Sequence, residues 1–278
     1  MVYRWRCRHC EFTVWGRSGE AVASRVRSHM LAHNRQHVTE SEMQVQWTCP
    51  YCDRTGQASG RERGLEAYSD HLFGHVEALM ESGVHVADDI NHTGSILTLS
   101  ELESAGANNA RVHFISPYDI VLFVTTSPSR RIRLLQRELT ELPAWIIVLT
   151  TKREPLESLS EESLSTLPLE VVRLDKQLGL SDLGQTVSRV LGEQEHMDGK
   201  ITFEFDILSE LLDTFTLQNV FKFLHILNSR LEKADALSHY YFDPSAGYEG
   251  SANVIEQMFD LRIRANEETF VSEPSTQS

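Results

Sequence analysis

Tyr118-Asp119-Ile120-Val121-Leu122-Phe123-Val124-Thr125 is a nearly continuous apolar run. A strand with one face in water alternates apolar and polar residues. A strand covered on both faces has no such need, so this run predicts a buried strand of a parallel sheet. Ser127-Pro128-Ser129 follows as a turn and helix start. Residues 130–142 then carry Ile132, Leu135 and Leu139 on one side of a predicted helix. Trp145-Ile146-Ile147-Val148-Leu149 reads as the next strand and residues 169–174 as another, before a helix over residues 180–191 capped by Ser181 or Asp182. Ile201-Thr202-Phe203-Glu204-Phe205 returns to strand. Two helical stretches cover about residues 207–215 and 217–233, the second amphipathic through Val220, Phe221, Leu224, Leu227 and Leu231. A strand over residues 237–242, a helix over 253–259 and a strand over 261–264 complete the pattern. This alternation predicts an α/β domain over residues 95–265, with a mainly parallel sheet and flanking helices. Residues 266–278 are expected to form a disordered tail.

Upstream, the chain repeats itself. Cys7 and Cys49 are 42 residues apart, and so are Cys10 and Cys52, His29 and His71, His33 and His75, and Trp5 and Trp47. Each copy reads Trp-x-Cys-x2-Cys-x18-His-x3-His, which defines one module over residues 1–40 and a second over 41–82. Two cysteines separated by two residues can bend around one metal ion. Two histidines at i and i+4 lie on one helix face. Together they offer two sulphur and two nitrogen donors in the tetrahedral set that Zn2+ accepts. Cys7, Cys10, His29 and His33 are thus expected to hold one structural zinc, and Cys49, Cys52, His71 and His75 a second. With four protein ligands at each, no position stays open for a substrate. No cysteine occurs after Cys52, so a disulfide framework has no support. His37, His85 and His92 fall outside the repeat and are expected to be ordinary surface or linker residues.

These modules resemble Cys2His2 zinc fingers, with one departure. The usual spacing between second cysteine and first histidine is about 12 residues, and here it is 18. The groove-reading geometry of ordinary fingers therefore does not carry over. Charge leaves two readings open. The first module has Arg4, Arg6, Arg8, Arg17, Arg25, Arg27 and Arg35 against Glu11 and Glu20. Arg8, Arg17, Arg25 and Arg27 are candidates for contact with nucleic acid or with a protein partner. The second module balances Arg54, Arg61 and Arg63 with Asp53, Glu62, Glu66 and Asp70.

The formal charge of −14 belongs to the remainder of the chain, because residues 1–80 hold 10 Arg and 9 acidic residues. An acidic body argues against a nonspecific nucleic-acid or anionic-membrane surface there. Only 5 Lys stand beside 21 Arg, and acidity with scarce lysine is the composition expected of a halophilic protein. No stretch reaches the 18 or so apolar residues of a membrane span, and the N-terminus has no apolar signal core. A cytoplasmic location is the expectation.

Residues 118–126, 181–191 and above all 205–264 resemble a haloarchaeal family of uncharacterised proteins distantly related to the RecA/KaiC ATPase fold. The residues that carry the likeness are Asp206-Ile207-Leu208-Ser209-Glu210-Leu211-Leu212, Val220-Phe221-Lys222-Phe223-Leu224-His225-Ile226-Leu227, Ser238-His239-Tyr240-Tyr241-Phe242-Asp243-Pro244 and Met258-Phe259-Asp260. The resemblance implies a RecA-like α/β domain, and it puts Asp206 where such ATPases have an acid after an apolar strand. The residues alone read Asp206 as a helix N-cap. What such ATPases need and this chain lacks is the phosphate loop, since no G-x-x-x-x-G-K-[ST] occurs in it. A degenerate domain without ATPase machinery is expected. His225 and His239 are expected to be core residues, and no spacing selects a catalytic triad. The expectation is a non-enzymatic regulatory or adaptor protein. Its partner would be another protein, a second copy of the chain or an ATPase-like relative. A sequence-specific DNA-binding regulator is the alternative.

Overall fold

The computed structural model describes residues 2–41, 44–165, 167–177, 179–194, 196–246 and 249–273. The chain divides into two compact units, Met1–Val86 with Glu268–Ser278, and Ala87–Glu267. Among the described residues no helix is long and apolar enough to cross a membrane.

In the first unit the sequence duplication becomes a duplication of structure. Strands β1 (Tyr3–Arg6) and β2 (Thr13–Gly16) pair antiparallel and lead into helix α1 (Gly19–Asn34). After β3 (Val38–Glu40), β4 (Gln44–Thr48) and β5 (Thr55–Ser59) pair the same way and lead into α2 (Arg61–Phe73). Ser18 caps α1, its Oγ accepting from the Ala21 amide at 3.1 Å. The second copy has Gly60 there, at φ 87°, a conformation that costs glycine little. β3 pairs with β4, and β6 (Glu81–Ser82) comes back beside β1.

The two copies, expected over residues 1–40 and 41–82, share a core. Trp5, Phe12, Val22, Val26 and Met30 of the first share one apolar cluster with Trp47, Tyr68, Leu72 and Val76 of the second.

The second unit starts with β7 (Gly94–Leu99) and α3 (Ala105–His113). It continues through β8 (Ile120–Val124), α4 (Pro128–Glu138), β9 (Trp145–Thr150), α5 (Glu161–Ser165) and β10 (Leu169–Arg173). Then come α6 (Leu180–Gln194), β11 (Ile201–Phe205), α7 (Leu208–Thr214), α8 (Leu217–Lys233) and β12 (Leu237–Phe242), followed by α9 (Glu249–Glu256) and β13 (Leu261–Ala265). The strand order is β10-β9-β8-β11-β12-β7-β13, and every neighbouring pair is parallel. Both faces are covered. Ile120, Leu122 and Val124 join the cluster under α6, α7 and α8, while Val121 and Phe123 join a second one with Ile132 and Leu135 of α4. That two-sided burial is why the β8 sequence shows no alternation.

Several details differ from the sequence expectations. α4 stops at Glu138 rather than residue 142, because Leu139 is already extended and Pro143 keeps the residue before it out of helical space. α9 ends at Glu256, leaving Met258 and Phe259 beyond the helix but against the core. β7 and α3 went unforeseen. The supposed tail supplies β14 (Thr269–Ser272), which pairs antiparallel with β2 and extends the order to β14-β2-β1-β6 in the first unit. Residues 274–278 of that tail lie outside the described residues. His225 is exposed on α8, whereas His239 is fully buried as expected.

α3 approaches β13 closely at Gly106, where an added Cβ would lie 2.4 Å from the Ala265 carbonyl oxygen. Gly106→Ala should therefore destabilise the protein by about 1–3 kcal/mol, despite alanine's better helix propensity of at most about 1 kcal/mol. The urea midpoint should fall with the m-value unchanged, and an unchanged or raised midpoint would refute the close approach.

Candidate metal centres

Cys7 and Cys10 flank the β1–β2 turn. The Cys7 amide donates to the Phe12 carbonyl at 2.9 Å and so closes the knuckle. The Phe12 amide donates to Cys10 Sγ, and the His9 amide to Cys7 Sγ, both at 3.4 Å. The second knuckle matches. The Cys49 amide donates to Arg54 O at 2.8 Å, and the Tyr51 amide to Cys49 Sγ at 3.4 Å. Such amide donors favour the thiolate form that binds metal. His29 and His33 both lie on α1, but only His71 lies on α2. His75 sits in the turn after it, held by its amide to Leu72 O at 3.0 Å.

All eight sequence-assigned donors are thus brought together in two sets of four, Cys7, Cys10, His29, His33 and Cys49, Cys52, His71, His75. Within each set the donor atoms lie within 4.8 Å of one another. A tetrahedral ion with metal–sulphur bonds of about 2.3 Å and metal–nitrogen bonds of about 2.0–2.1 Å needs S···N edges of about 3.6 Å and N···N edges of about 3.3 Å. Cys10 Sγ lies 3.4 Å from His29 Nε2, Cys52 Sγ 3.3 Å from His71 Nε2, and Cys49 Sγ 3.5 Å from His75 Nε2. His71 Nε2 and His75 Nε2 are 3.4 Å apart. Both clusters can coordinate a metal ion.

Protonation fits as well. Burial lowers His29 to about 4, with His33 adding to the effect, and burial also lowers His71. Both shifts favour the neutral imidazole that a metal ligand must be. Burial raises the Cys10 and Cys49 thiols, and a bound cation would displace their protons.

The candidate contact arginines divide. Arg17 and Arg25 are exposed. Arg27 is ion-paired with Asp70 of α2, its guanidinium 5.3 Å from the Phe73 ring centroid. Arg8 lies over the ring of Tyr51 at 5.8 Å. Two of the four thus bind the repeats to each other. Asn34, Tyr51 and Tyr68, none of them a candidate metal donor, do the same. The Tyr68 hydroxyl donates to Asn34 O at 3.1 Å, and Asn34 Nδ2 lies 3.5 Å from the Tyr51 hydroxyl.

In the second unit, charges gather at the carboxyl end of β11. Arg111 Nε of α3 donates to Glu204 Oε1 at 2.9 Å, and Arg131 Nε of α4 donates to Asp206 Oδ2 at 3.0 Å. All four side chains are at most 4% exposed. Thr125 Oγ1 donates to Asp206 at 2.8 Å, and Arg111 stacks 4.1 Å from the Tyr241 ring centroid. Asp206 is therefore not a helix N-cap. α7 begins at Leu208, and the Asp206 carboxylate points into this cluster. Burial lowers Arg131, but Glu204, Asp206 and Glu103 outweigh it and leave its pKa raised. Burial raises Glu204 against Arg111 and Arg131. Glu103, in the β7–α3 loop, accepts from Arg131 Nη2 at 3.2 Å and is paired with Arg130 Nη1 at 2.6 Å.

The chain thus joins a body with two Cys/His metal-binding clusters to a parallel α/β unit. It belongs to a family of unknown function, DUF7504, whose model matches residues 93–265. Comparison with curated proteins finds no match. A solved protein structure from Pyrococcus horikoshii OT3 is similar at 10% identity, over 66% of this chain and 89% of that chain, with a TM-score of 0.44.

Exhaustive chelation should abolish the cooperative unfolding of the first unit, because its small core cannot hold two ββα repeats alone. Unchanged circular dichroism and melting after complete metal removal would show that the donors are ordinary core residues. In the second unit, burial and then the neighbouring Arg111 charge lower His239 from its ordinary 6.5 to about 3. The unfolded chain takes up this proton below about pH 6.5 and the folded chain refuses it until about pH 3. Stability should therefore fall as pH drops through that window, at up to about 1.4 kcal/mol per pH unit from this group. His239→Gln should lessen the slope, as followed by denaturant midpoints across the window, and an unaltered slope would remove His239 as its source.

Proposed function

We propose that this chain is a non-enzymatic, zinc-containing regulatory or adaptor protein. Two structural Zn2+ ions would hold the first unit, one on Cys7, Cys10, His29 and His33, the other on Cys49, Cys52, His71 and His75. The observation that carries this reading is the donor set. Four protein donors of the sulphur and nitrogen type converge at each site and would fill a tetrahedral ion, leaving no position for a substrate. The ions would supply folding energy, while the knuckle amides orient the sulphurs.

The second unit would be a RecA-like scaffold that has lost its phosphate loop. In support, the β7–α3 connection carries Glu101 and Glu103 where a phosphate binder would want glycines and a lysine. The Glu103 carboxylate engages Arg130 and Arg131. Asp206, the acid the resemblance singled out, is hydrogen-bonded by Thr125 and Arg131.

The alternative is a sequence-specific DNA-binding regulator, favoured by the exposed Arg17 and Arg25. Against it, Arg8 and Arg27 are engaged within the first unit. The test offers the metal-loaded full-length chain a random duplex-DNA library at about 1 M salt, where phosphate-driven background is suppressed. The adaptor reading expects no enriched sequence, together with a reproducible protein partner in cross-linked cells that is lost in a Cys52→Ser variant. Enrichment of a defined sequence, lost when Arg17 and Arg25 are replaced by alanine, would establish the regulator instead.

A further inference from the structure

We propose that the two metal sites bind cooperatively, with Asn34, Tyr51 and Tyr68 as the positioning residues through which an ion at one site raises the affinity of the other. The inference rests on the metal reading of both clusters.

The contacts between the repeats start and end on residues adjoining the ligands. Asn34 follows His33 directly and is 1% exposed. Its Nδ2 donates to Met30 O at 2.8 Å, and its carbonyl accepts from the Tyr68 hydroxyl at 3.1 Å. Tyr68 stands one helical turn before His71 and is fully buried. Its ring lies 5.2 Å from that of Trp47, which in turn stacks on His71 at 5.1 Å. Tyr51 lies inside the second knuckle, with its amide on Cys49 Sγ and its ring 5.6 Å from that of His75. Its hydroxyl meets Asn34 at 3.5 Å. Arg8, inside the first knuckle, covers the same ring. Arg27, two residues before His29, is paired with Asp70, which directly precedes His71.

A repeat that closes on its ion fixes its half of these contacts. The second repeat then meets a surface already ordered, and its own ordering on metal binding costs less. Fingers joined only by a flexible tether lack this route. Couplings of this kind are commonly about 5–150-fold in affinity.

Native mass spectrometry of the full-length chain at sub-stoichiometric Zn2+, buffered with a competing chelator, reads the populations directly. Two independent sites, equal or unequal, leave at least about half of the molecules singly loaded at half saturation, whereas tenfold coupling between sites of equal intrinsic affinity reduces that fraction to about a quarter. The expected result is two ions per chain at saturation with the singly loaded form depleted. Tyr68→Phe keeps the packing against Trp47 and removes only the hydroxyl, so it should return the singly loaded fraction toward half while two ions still bind. Arg27→Gln, at an exposed pair, should do so more weakly.

Two ions per chain with at least half of the molecules singly loaded at half saturation, and no change in that fraction in Tyr68→Phe, would overturn the coupling and leave the metal reading intact. Fewer than two ions at saturation would overturn the metal reading itself. Depletion that persists unchanged in both variants would overturn the assigned route.

Discussion

Two carboxylates and two guanidinium groups withdrawn from water at the carboxyl end of β11 impose the strictest demand on the second unit. An isolated buried charge costs several kcal/mol even after relaxation, and removing one partner of a buried pair typically costs about 3–5 kcal/mol. Glu204 and Asp206 can therefore exist where they are only if Arg111 and Arg131 reach them from α3 and α4. That fixes α3 and α4 relative to β11, since each helix must deliver its arginine to a strand far away in sequence. Several atoms of the cluster, among them Arg131 Nη1, Asp206 Oδ1 and Glu204 Oε2, make no hydrogen bond within the protein. The cluster thus ties α3 and α4 to an interior strand of the sheet. In general, well-packed apolar side chains of similar volume often stabilise a fold as well as a buried ion pair does.

The first unit is organised instead around a shared apolar cluster, in which both Trp5 and Trp47 bury their indole N–H without a hydrogen-bond partner. Each of those rings instead lies against a ligand histidine, Trp5 on His29 and Trp47 on His71. The tryptophans of the repeat thus form one wall of each candidate metal cluster. The same duplication that placed the ligands placed their walls.

What the sequence revealed and what it hid follow from the range over which each feature acts. The eight candidate donors were legible because coordination chemistry fixes residue type and spacing within a few residues, and because duplication printed the pattern twice. β8 was legible because burial on both faces leaves a solid apolar run. β7 begins with Gly94 and Ser95, continues with Thr98, and adjoins a polar connection. Its burial comes from β12 and β13, which lie more than a hundred residues away. Glu204 carried a signal that was passed over, since a carboxylate within a short strand buried throughout must have a cationic partner. Which cation serves it could not be read, because Arg111 lies 93 residues away. Asp206 was misassigned for the same reason: N-capping is a local rule, and the residue's partners are distant.

The arginines of the first repeat show why net charge alone is a weak guide to a binding surface. Counted along the chain they form a basic module suited to a polyanion. In the folded unit Arg4 pairs with Glu81, Arg27 with Asp70 and Arg35 with Glu40, while Arg8 lies over Tyr51. Each of these carboxylates comes from outside the first ββα segment. The excess charge of one repeat is thus answered by the segments around it, and the surface a partner would meet is closer to neutral than the sequence suggests. An exposed pair adds little stability, but a cation held against an internal carboxylate must lose that partner before it can serve an external phosphate. This counts against a phosphate-gripping role for the first repeat.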